Sequence, residues 1–147
     1  MFDSRYPIEI LTRTNLKLKN SPPPELIPNI ERLSLNCGKL ESLLGNPLRV
    51  SSGFRSEEVN SAVGGSEKSA HLRGDAVDFT CQFLSPLQIC KRLTVLDAVD
   101  ELFIDQMIYE GTWVHIGWKS IGKPRGQVLS RVFVGGNVTY SDGICLS

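Results

Sequence analysis

Long apolar runs are missing from this sequence. No stretch of about 18 consecutive apolar residues occurs, so its pattern excludes a transmembrane helix. An excess of one charge is missing too. Its 16 Lys and Arg balance 16 Asp and Glu, and nucleic-acid binding, which leaves a basic excess, is not expected. The loose group Lys119, Lys123, Arg125 and Arg131 reads as a solvated loop and strand. Cysteine is sparse, at positions 37, 81, 90 and 145. That spacing fits no zinc knuckle or redox pair. The expected state is reduced thiols in or near the core, with a Cys81–Cys90 disulfide open but not indicated. The N-terminal "MFDSRYPIEILTR" lacks the charged lead and apolar block of a signal peptide, so synthesis in the cytoplasm is expected. No repeat, low-complexity tract or long linker divides the chain, and its 147 residues suffice for one domain, 1–147, with a core.

What is present is clear periodicity. In "SPPPELIPNIERLSLNCGKLESLLG", Ile27, Ile30, Leu33, Cys37, Leu40 and Leu44 recur at steps of three and four, which predicts an amphipathic helix. Pro28 falls in its first turn, where a missing donor costs little, and Gly45 can end it. "SEEVNSAVGG" predicts a short helix capped by Ser56 and stopped at Gly64-Gly65. "SPLQICKRLTVL" predicts another, with Ser85 as cap, Pro86 in first position and Leu87, Cys90, Leu93 and Leu96 on one side. "PLRVSSGF", "DAVDFTC", "ELFIDQMIYE", "TWVHIGW", "QVLSRVFVGG" and "NVTYSD" read as strands, the last two joined by a tight turn at Gly135-Gly136. The expected class is α+β, a mainly antiparallel sheet with helices packed on one face.

Histidine is the scarcest reactive residue, with two in the chain. In "TWVHIGW" a period of two puts Thr112, Val114, Ile116 and Trp118 on one face. His115 lies on the other, with Trp113 and Gly117, where it is either a satisfied structural imidazole or a ligand. In "SAHLRGDAVDF", Asp78 is a carboxylate inside a strand that otherwise reads as buried. A buried charge needs a cation or donors; Arg73, backbone amides and a metal are all candidates. His71 precedes it in a loop, and Gly74 permits the turn that would bring the two together. His71, Asp78 and His115 together form a nitrogen and oxygen donor set of the kind that holds a catalytic zinc with one position left for water. Zinc acidifies that water and polarises a carbonyl, and a carboxylate must then serve as base. Glu110, just before the Gly111 turn into the His115 strand, is the candidate; its alternative is a surface-turn glutamate. A further alternative is that His71 and Asp78 hold a purely structural zinc, although such sites are usually closed and sulfur-rich.

These motifs carry a likeness. "SAHLRGDAVDF", "SSGFRSEEVNSAVGGSEKSAHLRGDAVDFTC" and "IDQMIYEGTWVHIGW" resemble, in that order, segments of the zinc D-alanyl-D-alanine carboxypeptidases and their relatives among phage endolysins, over about residues 20–132. The resemblance implies a DD-peptidase or Hedgehog-like fold with one zinc in a cleft. It implies His71, Asp78 and His115 as ligands and Glu110 as general base. Some relatives carry the catalytic carboxylate three residues before the last histidine; Thr112 stands there in this chain and cannot act as a base, so the likeness is to the subgroup with a Glu-Gly turn before "WVH", which implies Glu110, with Asp105 the fallback if Glu110 points away. Arg55 resembles the arginine that steadies the substrate carbonyl or carboxylate, against a salt bridge to Glu57 or Glu58. Ser69 either bonds substrate or holds the His71 loop, Asn60 reads as structural, and Trp113 either walls the cleft or packs at its rim. The implied activity is hydrolysis of a peptide bond in peptidoglycan stem peptides, by a monomer acting at the cell wall as a phage or prophage lysin, or else in the cytoplasm. The alternative is a non-catalytic, metal-bearing module of a phage or prophage structure.

Overall fold

The computed structural model describes residues 1–144, and Cys145 lies outside them. Helix α1 (Ile8–Leu11) is followed by a 3₁₀ turn (Pro24–Leu26) that runs into α2 (Ile27–Leu44). Pro28 sits in the first turn of α2, and Gly45 ends it in the left-handed region at φ 62°. Ile30, Leu33, Cys37, Leu40 and Leu44 all point inward, as the spacing predicts. Next come β1 (Leu48–Ser52), α3 (Glu57–Ala62), a 3₁₀ turn (Ala70–Arg73) and β2 (Ala76–Cys81). The Ser56 hydroxyl accepts from the Val59 amide at the start of α3. In α4 (Pro86–Val95), Ser85 and Gln88 form a reciprocal capping box that satisfies two orphan donors. Ile89, Cys90 and Leu93 are its buried residues. Leu96, expected on that face, is exposed because the helix stops before it.

The chain then turns through α5 (Ala98–Glu101) into β3 (Gln106–Tyr109), β4 (Val114–Gly117), β5 (Gln127–Val134) and β6 (Asn137–Asp142). The front of "ELFIDQMIYE" is therefore the end of α5 and a turn rather than strand, contrary to expectation. Asp97 at φ 55° and Phe103 at φ 54° bracket that helical turn and break the extended run that the Leu102–Ile104 alternation suggests. Gly135 and Gly136 make the β5–β6 turn at φ 58° and 82°, as a primed turn requires.

The six strands form one sheet in the order β1-β2-β4-β3-β5-β6. All pairs are antiparallel except β3 and β5, which run parallel. Strand parity separates two faces. Val50, Phe79, Val77, Ile116, Val114 and Met107 are buried on one, with the apolar stripes of α2 and α4 in the same core. The other face carries the row Ser52, Asp78, His115, Ile108. The two long helices thus cover one face, as expected, while the 3₁₀ turn Ala70–Arg73 comes over the other, where His71 reaches Asp78. Cys37, Cys81 and Cys90 are buried free thiols, so Cys81 and Cys90 form no disulfide. Burial pushes the Cys37 and Cys90 thiols up to about 12, which leaves them inert. Among the described residues no helix is long and apolar enough to cross a membrane.

Candidate metal centre

Three elements deliver three donors. Asp78 lies in mid-β2, directly opposite His115 of β4 in the register. His71 arrives from the 3₁₀ turn before β2, and Gly74, at φ 72°, reverses the chain between them. An added Cβ there would lie 2.7 Å from Ile30, so a side chain would be both strained and crowded. The Ser69 hydroxyl accepts from the His71 amide at the start of that turn. The result is a cluster in which the ligand atoms of His71, Asp78 and His115 all lie within 4.8 Å of one another. One Asp78 oxygen, Oδ1, faces both rings, at 3.2 Å from His71 Nε2 and 2.8 Å from His115 Nδ1.

The protonation of His71 argues for a cation. Its Nδ1 lies 2.7 Å from the Gly53 carbonyl. A carbonyl only accepts, so Nδ1 carries the proton and the neutral ring turns the Nε2 lone pair toward Asp78. Burial lowers the His71 pKa and opposes a second proton, although Asp78 works the other way. Burial alone would raise the Asp78 carboxyl; the bond to His115 and the two imidazoles around it outweigh that and hold the group below the usual carboxylate range. A lone pair and a carboxylate oxygen therefore face each other across 3.2 Å, and a divalent ion is the natural third party. Two imidazoles and one carboxylate are the donor set zinc takes in open, catalytic sites.

The surroundings fix these donors. An extra residue in β1 at Ser51 shifts the register between Val50 and Ser52. Bulges of this kind re-aim the chain beside functional sites. Here the next residue, Gly53, presents its carbonyl to His71. A Cβ on Gly53 would lie 2.3 Å from the Leu11 carbonyl oxygen, so only glycine fits. Arg55 pairs with neither Glu57 nor Glu58. Its guanidinium donates to Asp78 Oδ2 at 3.1 Å, Ser52 Oγ at 2.9 Å and Asn60 Oδ1 at 3.3 Å. Arg73, the alternative partner of Asp78, bonds Asp75 instead. Arg55 orients a candidate ligand from behind, and removal of such partners typically costs 10–100-fold in metal affinity. Arg55→Ala is expected to weaken zinc binding by about that factor, read by competition with a chromogenic chelator; unchanged affinity would assign Arg55 to the substrate alone.

The cluster opens into a cleft of about 870 Å³, a size suited to a peptide segment. Glu110, Trp113, Ser69 and Arg55 line it with the three donors. Glu110 is buried at the end of β3, and its amide donates to the Trp113 carbonyl across the Gly111 turn. Burial raises its pKa above the ordinary glutamate value; His115, Tyr140 and Arg131 pull it back without cancelling the effect. Asp105 also borders the cleft, but its carboxylate is taken up by Arg125. Burial would raise its pKa, and the Arg125 bonds outweigh that and hold it low. Glu110 is thus the carboxylate better suited to exchanging a proton.

The sequence gives no sign of Tyr140. Its hydroxyl donates to the Glu110 carboxylate at 3.3 Å, a contact that depends on the unexpected parallel pairing of β3 with β5. A sequence family described as Peptidase M15 matches residues 11–117, which include His71, Asp78, Glu110 and His115 and end before β5. No curated protein matches the chain.

Proposed function

The chain belongs to the peptidase M15 family, and from that premise we propose that it is a zinc-dependent peptidase hydrolysing a bond in peptidoglycan stem peptides, as a carboxypeptidase or an endopeptidase. The observation that carries this reading is the convergence of His71, Asp78 and His115 in one cleft with a buried, pKa-raised Glu110. When bound, zinc supplies Lewis-acid polarisation of the scissile carbonyl and acidifies water. His71, Asp78 and His115 would hold it, and the negative charge of Asp78 would offset part of the ion's. Glu110 takes the proton of the attacking water and returns it to the leaving amine, for which a carboxyl with an upward-shifted pKa is suited. Arg55 keeps Asp78 in place and, having further N–H groups, can also donate to the developing oxyanion. Ser69 holds the His71 loop, and Trp113 walls the cleft.

The role proposed is that of a cell-wall lysin. A non-catalytic metal-bearing module would not require a base, and Glu110 supports the enzyme. The test is digestion of purified peptidoglycan, with the released fragments identified by mass spectrometry. Cleavage is expected to stop with a zinc chelator and return on adding zinc, and the new termini identify the bond. Cleavage that persists after complete removal of metal would overturn the proposal.

A further inference from the structure

Strands β5 and β6 lie beyond the family-matched residues, yet Arg131, Val138 and Tyr140 form a wall of the cleft. The register explains how. Tyr109 of β3 stands beside Ser130 of β5, and Arg131 of β5 stands opposite Tyr140 of β6. Glu110 follows Tyr109, so Glu110, Arg131 and Tyr140 occupy one row across three neighbouring strands. Parity puts that row on the face that carries Asp78 and His115.

Arg131 differs from the other guanidiniums of the cleft. Arg55, Arg73 and Arg125 are each bound to an aspartate. Among the described residues Arg131 has no carboxylate at ion-pair distance. Its guanidinium lies over the Phe133 ring at 4.8 Å from the centroid. Such stacking fixes the plane of the group and leaves its N–H edge for a ligand. A planar fork held this way matches a carboxylate.

We propose that Arg131 receives a carboxylate on the leaving residue of the substrate, so that the protein selects peptides whose leaving amino acid is anionic there. This rests on the reading of Glu110 as the general base. Glu110 returns its proton to the leaving amine, so the leaving residue lies against Glu110. An α-carboxylate is two bonds from that nitrogen, which brings it to the neighbour of Glu110 in the row. Tyr140, bonded to Glu110 from the same hairpin, keeps base and receptor in register.

The test uses N-acetyl-D-Ala-D-Ala and N-acetyl-L-Ala-D-Glu, each with the leaving residue as α-carboxylic acid and as α-carboxamide. Hydrogen bonds to charged groups contribute enough for about a tenfold preference or more. The zinc-loaded wild-type protein is expected to favour at least one acid over its amide by that factor in kcat/KM. In Arg131→Gln the acid-to-amide ratio collapses toward one, with the loss in KM, and Arg131→Lys recovers part of it. A wild-type ratio near one, or an Arg131→Gln variant that slows acid and amide alike, overturns the proposal; the latter would make Arg131 a field acting on Glu110. If the wild type cleaves none of the four, it is the peptidase reading that fails for these substrates. Calorimetry of the same peptides then decides on Arg131: binding of an acid that Arg131→Gln abolishes supports the receptor, and equal or absent binding of acid and amide overturns it.

Discussion

Glu110→Gln is expected to lower kcat for peptide hydrolysis by about 10²–10⁴-fold, the usual contribution of a positioned general acid–base group, while one zinc remains bound per chain. Glutamine keeps the shape of the side chain and an oxygen for the Tyr140 hydroxyl, so the cleft should persist. What it loses is the ability to take and return a proton. The same change has a second effect, of opposite sign, on the metal-free protein. Burial raises the Glu110 pKa in the folded state. Between the unfolded pKa, about 4.3, and the higher folded one, the folded state holds more protons than the unfolded. Stability therefore falls as pH rises through that window and stays reduced above it. Glutamine does not titrate, so the variant is expected to gain stability relative to the wild type as pH increases across the window. Urea unfolding at a series of pH values in chelator measures this. Lost turnover together with gained neutral-pH stability is the mark of a strained functional group rather than a packing residue. Wild-type turnover by zinc-loaded Glu110→Gln would remove Glu110 from the chemistry.

How much of this was legible follows from the range of each interaction. The α2 stripe, the Ser56 and Ser85 caps and the Gly135-Gly136 turn are local, and the chain declares them through spacing and turn chemistry. The parity of "TWVHIGW" and "DAVDFTC" put His115 and Asp78 on faces other than those of Val114 and Phe79, and antiparallel pairing of β2 with β4 then sets them side by side. The partners that fix the site were not legible. Arg55 reaches Asp78 rather than its neighbours Glu57 and Glu58 because the β1 bulge redirects the chain. Tyr140 reaches Glu110, and Arg131 joins its row, through the parallel β3–β5 pair, which two strands separated in sequence cannot announce. The α5 turn is hidden in the sequence because Leu102 and Ile104 alternate as a strand would, whereas backbone at positive φ in Asp97 and Phe103 decides the conformation.

Asp78 is where metal binding and folding are most tightly joined, and Asp78→Asn should show both. Its Oδ1 faces both histidines and its Oδ2 takes the Arg55 guanidinium. An asparagine offers one neutral oxygen and an NH₂ that cannot serve both partners. Zinc affinity is expected to fall well beyond the 10–100-fold loss typical of an outer partner such as Arg55, with peptide hydrolysis falling to background. In the metal-free protein the variant leaves the largely buried Arg55 charge without its counter-ion. Breaking a buried pair from one side costs about 3–5 kcal/mol, read as a lower urea midpoint at unchanged slope. Removing both charges, in Arg55→Met with Asp78→Asn, should cost less than the sum of the single changes, because neither partner is then stranded. That cycle separates the two roles. Stability recovered in the double variant without zinc binding identifies Asp78 as ligand and counter-ion at once. Wild-type zinc affinity in Asp78→Asn would show that the two histidines bind metal without it, and the three-donor centre would have to be abandoned.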